Sequence, residues 1–152
     1  MIHKLEREQL ILAPLARVWP FFCDPRNLDN LTPDELGFRI VTPDPPRMYP
    51  GQLIEYRVRF LPGLWAPWLT EIRQVVEERY FVDEQRVGPY RLWYHEHHFE
   101  SVQGGVRMRD RVTYELPLGP VGEVVHAAWV RTKLRRIFDF RRETIERLFA
   151  GP

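Results

Sequence analysis

The chain contains a single cysteine, Cys23. No intrachain disulfide can form, and a reducing compartment fits. Cys23 follows Phe22 at an expected helix end, where a small buried core residue is the usual reading. There is no CxxC pair, no Gly-rich phosphate loop and no serine elbow, so the sequence offers no redox, nucleotide or serine-nucleophile motif. No cofactor is expected. A charge excess is missing as well: Lys and Arg number 22 against 21 Asp and Glu. Dedicated nucleic-acid binders normally carry a basic surplus, so no nucleic-acid partner is expected. No apolar run approaches the roughly 20 residues of a membrane span. The charged opening Met1-Ile-His-Lys-Leu-Glu-Arg-Glu lacks the apolar core of a signal peptide. These absences lead to the expectation of a cytoplasmic protein. Repeats and low-complexity segments are also lacking, and residues 1–152 are expected to form one domain.

What the chain does have is aromatic side chains, 13% of its residues with five Trp, and clear periodicities. Residues 4–12 read as a strand. Pro14 suits the first position of a helix, and Leu15, Val18, Trp19 and Phe22 follow at helical spacing. Pro20 lies inside that pattern and is expected to kink or shorten it. Asp24-Pro25 reads as a cap followed by a second short helix with Leu28 and Leu31 buried. Residues 37–42 read as a strand, then a Pro-rich loop runs to Pro50. From Gly51, Ile54, Tyr56, Val58 and Phe60 alternate with Glu55, Arg57 and Arg59, which is the period of a half-buried strand. Residues 61–67 read as an apolar turn that either packs over the sheet end or exposes Trp65 to a ligand, membrane or partner.

Trp68, Thr70 and Ile72 continue the strand pattern. A hairpin over 81–99 turns at Gly88-Pro89, and Gly104-Gly105 turns into a last strand through Leu116. From Val121 the period changes to about 3.6. Val121, Val124, Val125, Ala128, Trp129, Thr132, Leu134, Ile137, Phe138, Ile145, Leu148 and Phe149 read as the buried stripe. Arg131, Lys133, Arg135, Arg136, Arg142 and Arg147 read as the solvated face. This predicts a terminal helix of about 28 residues, on the order of 40 Å. One strand, two short helices, six further strands and a long helix is an α+β pattern with an antiparallel sheet. The helix is the natural cover for the sheet's packed face.

This order resembles the START-like superfamily, also called SRPBCC, with its helix-grip fold. The chain looks most like its polyketide cyclase/dehydrase-like, ligand-binding bacterial subgroup. The resemblance runs from Ala13-Pro14-Leu15-Ala16-Arg17-Val18-Trp19 to Phe138-Asp139-Phe140-Arg141-Arg142. It is carried between them by Leu36-Gly-Phe38, Met48-Tyr-Pro-Gly51, Phe81-Val-Asp-Glu-Gln85, Gly88-Pro-Tyr90, Trp93-Tyr-His-Glu-His97 and Leu116-Pro-Leu-Gly-Pro120. Pro20 departs from the pattern. The resemblance implies a curved seven-stranded antiparallel sheet wrapped round the terminal helix, with two short helices after strand 1. It also implies a cavity for lipids, polyketides or other small apolar molecules, and no fixed catalytic set. Some members are associated with nucleotide-sugar-epimerase-like domains, a protein partner implied by analogy.

Alternation selects the inward faces, because their companions are mostly charged. The expected ligand-binding set is Tyr56 and Val58; Trp68, Thr70 and Ile72; Phe81, Asp83 and Gln85; Trp93, His95, His97 and Phe99; Met108, Asp110, Val112 and Tyr114; and Trp129 from the helix. The choice of face is weakest on the second hairpin strand, where Leu92 and Tyr94 are also apolar. His95, His97, Asp83 and Asp110 are candidates for acid–base catalysis of the cyclase or dehydratase kind. The same groups, with Gln85, equally suit a cross-strand hydrogen-bond network or a ligand anchor. His95-x-His97 lacks a third ligand at a diagnostic spacing, so no metal is expected. The functional expectation is binding or carriage of a small hydrophobic ligand. The alternatives are an enzyme using these groups and a regulatory interaction module. Transient membrane contact through the basic helix face is a further expectation.

Overall fold

Strands form where the period-two pattern runs. The computed structural model describes residues 1–61 and 63–151. Among them, seven strands build one curved antiparallel sheet. They are β1 (His3–Ile11), β2 (Phe38–Ile40), β3 (Leu53–Leu61), β4 (Leu64–Val76), β5 (Tyr80–Val87), β6 (Leu92–Val102) and β7 (Gly105–Glu115). Their order is β1-β7-β6-β5-β4-β3-β2. The inner face carries Ile54, Tyr56, Thr70, Ile72, Phe81, Trp93, Phe99, Met108, Val112 and Tyr114, all buried. The outer face carries exposed Arg57, Arg73, Arg109 and Arg111. There, Arg109 donates to Glu8 at 2.8 Å and Arg111 to Glu6 at 3.0 Å across the β1–β7 pair. Such exposed pairs contribute about 0–1 kcal/mol each. The sheet is held by its buried face.

Register decides the doubtful strand. Trp93, His95, His97 and Phe99 of β6 are buried, opposite Tyr114, Val112, Asp110 and Met108 of β7. Leu92 and Tyr94 lie half-buried on the other side.

The short helices refine the expectation. Helix α1 (Leu15–Phe22) contains Pro20 without breaking, because the next turn still closes: Cys23 N–H donates to the Trp19 carbonyl at 3.1 Å. The second helix is a 3₁₀ turn, Pro25–Leu31, capped by Asp24 Oδ1 accepting from Arg26 N–H at 3.0 Å. A further 3₁₀ turn spans Asp34–Leu36.

The apolar turn is tighter than expected. Leu64, Trp65, Ala66 and Pro67 belong to β4 and pair with β3. Pro62, which the expected turn included, lies outside the described residues. The Trp65 ring seats on Gly37, where a Cβ would fall 2.7 Å from its Cη2. Arg39 and Arg59 stack beside it at 4.9 and 5.8 Å. Packing explains Trp65 here.

The terminal helix is continuous from Gly119 to Phe149, as α2 (Gly119–Val125), a π segment (His126–Val130) and α3 (Arg131–Phe149). Its buried side is His126, Val130, Leu134, Phe138, Arg141, Thr144, Ile145 and Phe149. Val121, Val124, Val125 and Leu148 of the expected stripe are exposed instead. The π turn supplies the reason at the N-terminal end. It adds a residue to one turn, so the valines of α2 rotate out of phase with α3. Among the described residues no helix is long and apolar enough to cross a membrane.

Trp19 is 1% exposed and meets Phe99 edge-on at 5.3 Å, while its indole N–H donates to Glu77 Oε1 at 3.0 Å. Trp19→Ala is expected to lower the unfolding free energy in urea by about 3–5 kcal/mol, as large aromatic truncations in packed cores do.

Candidate functional site

Helix α3 grips the sheet unevenly. Over β6 and β7 it packs directly: Val130, Leu134 and Phe138 meet Trp93, Val112 and Tyr114. Ile145 and Phe149 join α1, Phe99 and Met108. Over β3, β4 and β5 the helix stands off. The space left is a cavity of about 180 Å³.

Its walls include Tyr56, Val58, Trp68, Thr70, Ile72, Phe81, Asp83, Trp93, His95 and His97 from the sheet. Leu28 and Leu31 come from the 3₁₀ turn, and Leu134, Ile137, Phe138 and Arg141 from α3. Seven of the residues expected here stand elsewhere. Phe99, Met108 and Val112 point inward but lie beneath α1 and α3. Tyr114 turns its hydroxyl to His126 Nε2 at 2.8 Å. Trp129 lies against the packed end of α3, with Lys133 Nζ 4.4 Å from its ring.

The sixth is Gln85, whose amide is spent on its own hairpin. It donates to the Tyr90 carbonyl at 2.7 Å and accepts from Tyr90 N–H at 3.2 Å. A methyl group at Gly88 would fall 2.3 Å from its Oε1. The seventh, Asp110, stands behind the histidines, on a separate small void with Gln9 and Arg141. Alternation identifies the inward face; it does not say which part of that face the helix leaves open.

The polar end of the cavity is a closed box of charge. His95 and His97, two apart on β6, bring their rings together with centroids 3.7 Å apart and a 31° tilt. Asp83 lies opposite His95 on β5, and Asp110 opposite His97 on β7. The short contacts run diagonally: His95 Nε2 to Asp110 Oδ1 at 2.8 Å, and His97 Nε2 to Asp83 Oδ2 at 2.5 Å. The other ring nitrogens face the same oxygens, His97 Nδ1 at 3.3 Å from Asp110 and His95 Nδ1 at 3.8 Å from Asp83. Arg141, 6% exposed, closes the box from α3 with Nη2 3.6 Å from Asp110 Oδ1. Its Nε has no hydrogen-bond partner among the described residues.

The sequence reading missed Arg141. The signal was available: 134, 138, 141 and 145 are successive positions on one helix face, and Arg141 occupies the third.

Burial works against every charge in this box, yet the neighbours decide the outcome. Desolvation would raise the Asp110 carboxyl, but the Arg141 charge and hydrogen bonds from both histidines hold it well below the usual carboxylate range. Asp83 is likewise held low against its burial, chiefly by its hydrogen bond to His97. Burial would lower both imidazoles. It does so for His95, helped by the charge on His97. On His97 the two carboxylates overcome burial and raise its pKa. The same box thus pushes the two imidazoles in opposite directions. Elsewhere, burial pushes the Cys23 thiol up to about 11, which leaves it a buried core residue of low reactivity.

Two groups among the described residues bring metal-capable atoms together: Asp83, His95 and His97, and, away from the cavity, His3, Glu123 and His126. The His3 and His126 rings stack at 3.6 Å, and the His95 and His97 rings lie 3.7 Å apart with a 31° tilt.

Breaking a buried pair strands the remaining charge, at about 3–5 kcal/mol. Asp110→Asn is expected to lose stability on that scale at neutral pH, measured by urea unfolding. Asp110 titrates lower in the folded protein than in the unfolded chain. Its contribution is therefore complete above the unfolded value of about 3.8 and is lost as pH falls through the folded value beneath it. The gap between the two proteins should narrow over that acid range.

No protein-family profile matches this chain, and no curated protein sequence does. Solved structures are similar to it. Protein CV1439 from Chromobacterium violaceum aligns with a TM-score of 0.74 and 12% identity, over 98% of this chain and 99% of that one. Protein Ms6760 from Mycobacterium smegmatis gives 0.68 and 19%, over 95% and 89%. Ara h 8.0201 gives 0.65 and 18%, over 95% and 98%. At such identities the likeness carries the fold alone, and that fold is the α+β helix-grip arrangement.

Proposed function

We propose that this chain is a single START-like (SRPBCC) domain of the polyketide cyclase/dehydrase-like, ligand-binding group, and that it binds and carries a small apolar molecule. The observation behind this reading is the cavity of about 180 Å³ held open between α3 and the sheet. An apolar cavity of ~150 Å³ is already sufficient for benzene. Here the walls are aromatic and aliphatic, with a few convergent polar groups at one end, the composition usual for small-molecule sites. Packed cores leave few voids of this size, so a space bounded by Tyr56, Phe81, Trp93 and Phe138 calls for an occupant. The acid–base reading draws less support. All four ring nitrogens of His95 and His97 face Asp83 or Asp110, and a general base needs one within reach of the substrate proton.

The test is saturable binding of a neutral apolar fluorophore, N-phenyl-1-naphthylamine, to the purified protein. Val58 lines the cavity from β3. Val58→Trp, which fills the space, is expected to weaken binding by about tenfold or more, the scale of lost apolar burial, with the thermal midpoint near the parent's. Non-saturable binding, or equal affinity in the variant, would mean that the dye lies elsewhere.

A further inference from the structure

Asp83 supplies the third metal-capable group that the spacing of His95 and His97 lacks. It reaches them across the sheet, from β5 to β6. One ligand atom from each of the three residues lies within 4.8 Å of the other two. Asp83 Oδ2 is 2.5 Å from His97 Nε2 and 3.8 Å from His95 Nδ1. Zinc bonds to nitrogen and oxygen of about 2.0–2.1 Å set neighbouring tetrahedral ligand atoms roughly 3.3 Å apart. The two distances fall on either side of that spacing.

The two carboxylates sort the ring nitrogens into an inner and an outer pair. His95 Nδ1 and His97 Nε2 face Asp83. His95 Nε2 and His97 Nδ1 face Asp110 Oδ1, at 2.8 and 3.3 Å. A metal-ligating histidine commonly donates its other ring N–H to a carboxylate, which fixes its tautomer and ring orientation. Asp110 is placed to accept from both. The inner set also lies on the open side: Asp83, His95 and His97 line the cavity, whereas Asp110 lines the small void behind it. Arg141 Nη2 approaches the outer pair, 3.6 Å from Asp110 Oδ1 and 3.4 Å from His97 Nδ1. The other cluster lacks a carboxylate behind its imidazoles. There His126 Nε2 meets the Tyr114 hydroxyl at 2.8 Å, and Glu123 Oε1 meets the Met1 ammonium at 3.0 Å.

We propose that Asp83, His95 and His97 bind a divalent transition-metal ion, with Asp110 as their shared outer carboxylate and the remaining coordination position open to the cavity. Two histidines and one carboxylate beside an open position suit zinc or ferrous iron.

The probe is zinc chloride, titrated by calorimetry into untagged, chelator-treated protein at neutral pH. The parent should bind zinc saturably. His95→Gln should weaken that binding by more than the roughly 10–100-fold that loss of an outer-shell partner costs. His3→Gln, in the other cluster, should leave it unchanged. Imidazole nitrogen NMR of the parent reads the site without any substitution. Zinc should shift His95 Nδ1 and His97 Nε2 as the ligated nitrogens, with protons kept on His95 Nε2 and His97 Nδ1. The assignment is overturned by an absence of saturable binding, by ligation at the outer nitrogens, or by shifts confined to His3 and His126. Affinity that survives His95→Gln, or that falls as far in His3→Gln, overturns it equally. The cavity reading fails or stands separately, because N-phenyl-1-naphthylamine needs no ion to bind.

Discussion

The contact between Arg141 and Asp110 constrains the rest of the molecule. It is the one charge that α3 places in the interior, and it meets the one acid that β7 places there. Such a pair adds little net stability over an apolar pair of the same size. Its force is conditional: neither group can be buried without the other. Sliding α3 along the sheet would strand a guanidinium on one side and a carboxylate on the other. The pair therefore fixes where the helix sits, and the histidines transmit the arrangement to β5 through Asp83.

With the helix held over β6 and β7, its apolar side chains are consumed there. Val130, Leu134, Phe138, Ile145 and Phe149 cover the sheet from β7 towards β6. The curved outer strands β3 and β4 bend round a helix too far away to fill the gap. The cavity is the consequence: apolar along Tyr56, Ile72 and Phe81, and polar where the charge box surfaces. Fold and cavity are thus one arrangement, since the groups that anchor the helix also form the cavity's polar end.

Much of this was legible in the residues. Alternation of Ile54, Tyr56 and Val58 with Glu55, Arg57 and Arg59 names a strand and its buried side without any tertiary knowledge. Asp24-Pro25 announces a capped turn. The hairpin's Asp83, His95 and His97 stand out because polar groups on an inward face must find partners. Arg141 is absent from the expected site because a basic side chain is not looked for on a buried helix face, although its phase with Leu134, Phe138 and Ile145 places it there. Gln85 was misplaced because period two specifies a face and is silent about a side chain that folds back on its own turn. The valines of α2 were misassigned because a π turn changes helical phase, and nothing local in His126–Val130 announces it.

The sequence by itself determined the element types, their order and the inward faces. These follow from local sterics and from the two periods of helix and strand, which each residue expresses with its near neighbours. Tertiary structure alone decided which inward residues would be covered by helix and which would face open space. It decided that Asp83 would pair with His97 and Asp110 with His95, across the diagonal and not along the register. Those outcomes depend on distances between segments far apart in the chain, and on burial that no single segment possesses until the others have packed against it.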